Sequence, residues 1–325
     1  MTHVLIIGTG SIGERHLRCF LETGRGTVSF CDVSDEVRQR IRTSYATRSD
    51  FAQLDDVDLT TIDAAVVCVP AHLHLAFARR LVSHNVAVLI EKPISTSTKE
   101  AIEFAEEGAG ICGVAYVMRH HPGVRLVRQI IQEERFGSPV QLVFAGGQHF
   151  PLYRPDFQRI YYGRRETGGG AMQDALTHMM NVAEWIVGPV TSVTADVDRL
   201  VLDGVSVEDT VHVLTRHSSV MGSYSLNQHQ AVNEGRLTIH CQKGSVRVDF
   251  GRNVVLTACS PGDDWSVVKE FNLERDDMFV SQANAFLDQV EGSAHAVCTP
   301  DEATQTLCVM LTALEAAESQ VWRSL

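Results

Sequence analysis

"HVLIIGTGSIGERHLRCFLETGRGTVSFCD", residues 3–32, decides the fold. "HVLIIG" reads as a buried strand, "SIGERHLRCFLET" as a helix and "TVSFCD" as a second strand ending in an acid, so the stretch is a β-α-β unit. Gly8, Gly10 and Gly13 stand between the first strand and the helix in Gly-x-Gly-x-x-Gly spacing, and Asp32 follows Gly13 by nineteen residues. Such glycines permit a tight turn and let a pyrophosphate approach the backbone and rest on the helix N-terminus. An acid at the end of the second strand accepts hydrogen bonds from ribose hydroxyls. The expected dinucleotide contacts are therefore Gly8, Gly10, Ser11, Ile12, Gly13 and Asp32. Asp32 and Asp35 repel a 2′-phosphate and no Arg lies between Val33 and Glu36, which favours NAD over NADP. Arg38 is the nearby cation able to swing back toward one.

Downstream the alternation continues through "DAAVVCVP", "LHLAFARRLVSH", "VAVLIEKP", "TKEAIEFAEE" and "ICGVAYV". Strands alternating with helices predict an α/β Rossmann-type, doubly wound parallel sheet over residues 1–118. Past that point, after the helix "GVRLVRQIIQEERFG", strand-like runs succeed one another: "SVTADVDRLVL", "TVHVLTRH", "VMGSYSLNQ", "RLTIHCQ", "SVRVDF", "VVLTA" and "WSVVKEFNL". Residues 119–325 therefore read as an α+β domain with a mainly antiparallel sheet, closed by two helices. The last helix opens at "TPDEA", where Thr299, Pro300 and Glu302 form a capping-box signature.

A chain of 325 residues favours two domains, and no apolar run reaches the roughly 18 residues of a membrane span. The formal charge of −12 argues against a phosphate-backbone partner. Eight scattered cysteines without a CxxC pair read as free thiols, mostly buried, and His72, His74, His120 and His121 lack partners at a metal-ligand spacing, so no metal is expected. With no signal-peptide pattern at the N-terminus, the expected location is cytoplasmic.

Lys92 follows a strand of the sheet, where ligands of doubly wound folds bind; taken alone it reads first as a solvated lysine, but Pro93 right after it argues for a controlled geometry. "TGGGAMQDALTHMMN", residues 167–181, sets three glycines before Asp174 and His178. At 100° per residue, Asp174, His178, Asn181 and Trp185 form a stripe opposite Met172, Ala175, Leu176, Met179, Ala183 and Ile186. An imidazole there is suited to proton transfer at neutral pH, and an ammonium nearby to stabilising an alkoxide.

Taken together, the glycine motif, "VPAHLHL", "EKP" at 91–93, "AYVMRHHP" and "GGGAMQDALTH" resemble the Gfo/Idh/MocA oxidoreductase family over nearly the whole chain. The resemblance implies an open-faced sheet in the second domain and oxidation or reduction of a hydroxyl of a sugar, amino sugar, nucleotide sugar or cyclitol. It implies a catalytic set of Lys92, Asp174 and His178, with His178 as base, and adds Pro70, His74 and Glu91 to the cofactor contacts. Leu176 and Asn181 depart from the glycine and acid that many relatives carry, and Val117 from a polar residue, so substrate contacts differ. The basic, aromatic segment "YRPDFQRIYYGRRE" suits an anionic or nucleotide-linked sugar, or equally an oligomer contact or a solvated loop. Candidate substrate residues are Arg119, Arg154, Tyr161 and Arg165. The open sheet face implies a homodimer or homotetramer. A non-catalytic dinucleotide-binding regulator and an NAD-dependent glycosidase are the alternative functions.

Overall fold

Val4, Leu5, Ile6 and Ile7 are at most 2% exposed, as a central strand covered on both faces must be. In the computed structural model, which describes residues 1–108, 110–293 and 297–325, they belong to β1 (Thr2–Ile7). Around it lie β2 (Gly26–Cys31), β3 (Asp50–Phe51), β4 (Ala64–Val67), β5 (Ala87–Ile90) and β6 (Cys112–Val114), in the order β3-β2-β1-β4-β5-β6, all parallel. The connecting helices are α1 (Ser11–Glu22), α2 (Asp35–Ser44), α3 (His74–Val82) and α4 (Thr98–Glu106). The order reverses at β1, with β2 on one side and β4 on the other, so the switch point lies beside the glycine loop.

Two units divide the chain: Met1–His120 with Glu274–Thr304, and His121–Leu273 with Gln305–Leu325. A single split at 118 thus misses the return of the C-terminal segment to the first unit. The cause is apolar. Phe286 packs edge-on against Phe20 of α1, 6.3 Å between centroids, within the cluster built on Val4, Ile6, Val28 and Phe30. Asp276 pairs with Arg15 and Arg18 of α1, and Arg25 reaches Asp288 and Glu291 at 2.7 Å.

The second unit begins with α5 (Pro122–Gln132), β7 (Pro139–His149) and the short α6 (Phe150–Tyr153). A π-helical turn, Ala171–Leu176, runs into α7 (Thr177–Val187). There follow β8 (Ser192–Asp198), β9 (Thr210–His217), β10 (Val220–Asn227), β11 (His229–Cys241), β12 (Gly244–Asp249), β13 (Val254–Ala258) and β14 (Ser266–Glu270). Helix α8 (Asp277–Val290) belongs to the first unit, α9 (Pro300–Ser319) runs from the first unit into the second, and β15 (Arg323–Ser324) closes the chain.

The nine-stranded sheet has the order β14-β13-β12-β11-β7-β10-β9-β8-β15, antiparallel except for the β7–β10 pair. Its alternation is visible in β9, where Val211, Val213 and Thr215 are buried and Leu214 is half exposed. One face packs on α5 and α7. The other, with Leu214 and Met221, is uncovered in the single chain. Strand β7, at the centre of the sheet, is absent from the sequence reading: Gly146 and Gly147 break its apolar pattern. A Cβ on Gly147 would lie 2.5 Å from the Asn227 carbonyl oxygen, so the backbone approach explains the glycine.

Among the described residues no helix is long and apolar enough to cross a membrane. Five of the eight cysteines are buried, Cys68 and Cys308 are half-buried and Cys259 is exposed.

Candidate active site

The first unit builds a dinucleotide cradle. A Cβ on Gly13 would sit 1.8 Å from the Gly8 carbonyl oxygen, so only glycine lets α1 start against the β1 exit. Gly10, by contrast, has nothing within 4 Å of where a Cβ would stand, and it caps α1 with no side-chain hydrogen bond. The first amides of α1 are thereby left to an anion, and the cradle fits a pyrophosphate. Ser11 is exposed in the first turn, whereas Ile12 packs into the cluster of Cys19, Val117 and Phe279.

Asp32, half-buried at the end of β2, is tied into the same loop. Its Oδ2 accepts the Thr9 amide at 2.7 Å and the Thr9 hydroxyl at 3.1 Å; Oδ1 accepts the Ser34 amide at 2.9 Å. Arg38 does not swing toward a phosphate position. It donates to the Asp32 carbonyl at 2.8 Å and to Asp35 at 2.7 Å, and lies 3.6 Å from Asp50, with only 15% of its side chain exposed.

At the end of β5, Lys92 is framed by groups the sequence reading assigned to the cofactor. Glu91 is 6% exposed: one oxygen meets His16 Nε2 of α1 at 2.7 Å and the other accepts the Lys92 amide at 3.0 Å. Burial pushes the Glu91 carboxyl up, but the His16 hydrogen bond, aided by Lys92, brings it below its ordinary value. Its two oxygens are engaged in bracing the lysine's backbone against the glycine-loop helix. His74 is 2% exposed, and its ring nitrogens lie 2.8 Å from the Val69 and Pro93 carbonyl oxygens. It bridges the β4 and β5 exits; of the two exits, Pro70 stays exposed and the Lys92–Pro93 peptide is cis. His16 had no sequence signal beyond its place three residues after Gly13.

In the second unit, Asp174 lies in the π-turn and His178 in the first turn of α7, both half-buried. Thr177 donates its amide to the Met172 carbonyl, the i→i+5 bond of a widened turn, so a uniform 100° wheel fails here. Asn181, expected on the polar stripe, is fully buried and donates to Thr306 Oγ1 of α9 at 3.0 Å. Trp185 carries the Arg128 guanidinium over its ring at 4.1 Å, so its partner is α5.

Of the expected substrate residues, Tyr161 lies at the site: its hydroxyl donates to Asp174 Oδ1 at 2.8 Å, with the ring half exposed. Arg154 is exposed and turned to the Tyr153 carbonyl. Arg165 is paired with Glu318 at 2.8 Å and lies 3.7 Å from Glu208. Arg119 lies apart from solvent. It is 4% exposed and bonds Glu302 at 2.7 Å, in the capping box where Glu302 and Thr299 exchange hydrogen bonds. The guanidinium thereby ties the segment before α5 to the start of α9.

Comparison with known proteins fits this architecture. Residues 2–118 match the oxidoreductase family with an NAD-binding Rossmann fold, and residues 124–247 match the GFO/IDH/MocA C-terminal domain. Inositol 2-dehydrogenase of Burkholderia multivorans (strain ATCC 17616 / 249) is 24% identical over 192 residues, 56% of this chain. The chain spans about half the length of that relative, 53%. The uncharacterized oxidoreductase YrbE of Bacillus subtilis (strain 168) is 26% identical over 92% of this chain and 89% of its own. A levoglucosan dehydrogenase structure, in complex with NADH and levoglucosan, shares the fold with a TM-score of 0.90 at 18% identity, covering 99% of each chain. The glycine cradle, the acid at the end of β2 and the open mixed sheet are thus those of a Gfo/Idh/MocA oxidoreductase with an NAD-binding Rossmann domain, the family to which this chain belongs.

Proposed function

We propose that this protein is an NAD-dependent dehydrogenase that moves a hydride between nicotinamide and a hydroxyl carbon of a sugar, amino sugar, nucleotide sugar or cyclitol. The observation that carries the reading is the presence of all three family positions, Lys92 at the end of β5 and Asp174 with His178 on the turn that opens α7. Similarity to inositol and levoglucosan dehydrogenases supports a ring hydroxyl as the reacting group.

Gly8, Gly10, Gly13 and the first amides of α1 hold the pyrophosphate, and Asp32 accepts the adenosine ribose hydroxyls. A nicotinamide held there would supply the acceptor or donor of the hydride. His178 removes the hydroxyl proton as the carbinol carbon is oxidised, and Lys92 stabilises the charge developing on that oxygen. In the reverse direction His178 returns the proton. Asp174, held by Tyr161, orients the imidazole or a neighbouring substrate hydroxyl. The protein assembles as a homodimer or homotetramer through the uncovered sheet face that carries Leu214 and Met221.

The test is NADH formation at 340 nm across a panel of cyclitols, aldoses, uronic acids and nucleotide sugars. Turnover on at least one ring alcohol is expected. Tight NADH binding without turnover would point to a regulator, and cleavage of aryl glycosides without net NADH to a glycosidase.

A further inference from the structure

Three glycines precede the Asp174 turn, and the third has a neighbour that explains it. Gly170 has φ +94°, and a Cβ there would stand 2.3 Å from Oε1 of Glu208, in the loop between β8 and β9. Glu208 is 4% exposed. Its Oε1 accepts the Met172 amide at 3.0 Å, and its main-chain carbonyl accepts the Ala171 amide at 3.0 Å. Its Oε2 makes no hydrogen bond among the described residues, and the Arg165 guanidinium lies 3.7 Å from it. Burial pushes the carboxyl up, against the pull of the Met172 amide and Arg165.

A helix start is ordinarily capped by a local Ser, Thr or Asp. Here residue 170 has no side chain, and the acceptor comes from a loop thirty-six residues away in sequence from Met172. The two amides it takes are the first of the π-turn, and Asp174 follows two residues beyond Met172. We propose that Glu208 is a positioning residue: from beneath Gly170 it holds the first amides of the Ala171–Leu176 turn, and thereby sets where Asp174 stands relative to His178 and Tyr161. The inference rests on the roles given above to Asp174 and His178. It assigns the third glycine a purpose, which is room for a remote cap.

The experiment compares Glu208→Ala, Glu208→Gln and Gly170→Ala with the unmodified protein, reading kcat and KM on the best ring alcohol, NADH affinity by fluorescence, and crystal structures of Glu208→Ala and Glu208→Gln. Displacing a catalytic group by about 1 Å costs on the order of 100-fold. Glu208→Ala and Gly170→Ala are expected to lose about 30-fold or more in kcat, with NADH affinity within about threefold. Glu208→Gln, which keeps the acceptor for Met172, restores most of the loss. In the Glu208→Ala crystal the Tyr161–Asp174 hydrogen bond is broken or lengthened. Equal kcat in Glu208→Ala and the unmodified protein would overturn the proposal, as would a crystal of that variant with the Asp174 turn unmoved. An unmodified protein that turns over no substrate overturns the dehydrogenase reading instead, and the crystal comparison still decides the role of Glu208.

Discussion

Replacing Asp32 by Asn removes one charge at nearly constant shape, and the geometry around it fixes what should follow. A unit charge pair 4 Å apart interacts by about 4 kcal/mol at an effective dielectric of about 20. Asp32 is half-buried at a solvent-facing rim, so roughly half of that is retained, about 2 kcal/mol. With a phosphate charge of about −1.5, the penalty on a 2′-phosphate is near 3 kcal/mol, on the order of 100-fold in favour of NADH. Arg38 does not offset it, because Asp35 and Asp50 already share its guanidinium. In Asp32→Asn the preference should fall below about tenfold. NADH itself should weaken by roughly tenfold, since a charged acceptor for ribose hydroxyls is lost. The assay is fluorescence titration with NADH and NADPH, run beside Arg38→Ala, which should change NADPH affinity by less than about threefold. A preference that survives Asp32→Asn, or a large loss of NADPH binding in Arg38→Ala, would refute the reasoning.

Other consequences can be checked as directly. Gly13→Ala puts a methyl 1.8 Å from the Gly8 carbonyl oxygen, so NADH affinity should drop by about 30-fold or more while circular dichroism keeps its folded signal. Tyr161→Phe removes the 2.8 Å bond to Asp174; because the pair is half exposed, a fall in kcat/KM of about five- to tenfold is expected by steady-state kinetics. The hydrogen bond from Arg18 holds the Asp276 carboxyl below its ordinary 3.8. Its stabilising contribution is therefore present above that value and lost as pH falls through the depressed one. Asp276→Asn should lower Tm by roughly 2 °C at pH 7, for about 1 kcal/mol, and the difference should shrink as pH is taken progressively below 3.8.

How much was legible in the sequence follows from where each signal resides. The parallel sheet was readable because β1, β2, β4 and β5 are short apolar runs bounded by glycine or proline. Helix α2 was not, since among its residues only Ile41 is fully buried and the rest of its surface is charged or polar. Strand β7 escaped for the reason given by its glycines. The wheel drawn through residues 171–186 misplaced Asn181, because that face of α7 is buried and Asn181 finds a polar partner there in Thr306 of α9. Arg119, Glu91 and His74 were recognisable as notable residues, yet their partners Glu302, His16 and Pro93 come from other segments that no local pattern connects. Glu208 carries no sequence mark at all; only the fold brings it under Gly170.

The proposed function requires Lys92 and His178 to perform proton and charge work on one alcohol oxygen while other residues bind the dinucleotide. The most direct measurement is kcat of the Lys92→Ala, His178→Ala double variant on the best ring alcohol, paired with its NADH dissociation constant. General acid–base catalysis contributes about 10²–10⁴-fold and charge stabilisation of the alkoxide about 10²–10³-fold. The account predicts a fall in kcat of at least about 10⁴-fold, with the dissociation constant within about threefold of the unmodified protein. Turnover retained to within about tenfold, with NADH still bound, would contradict it.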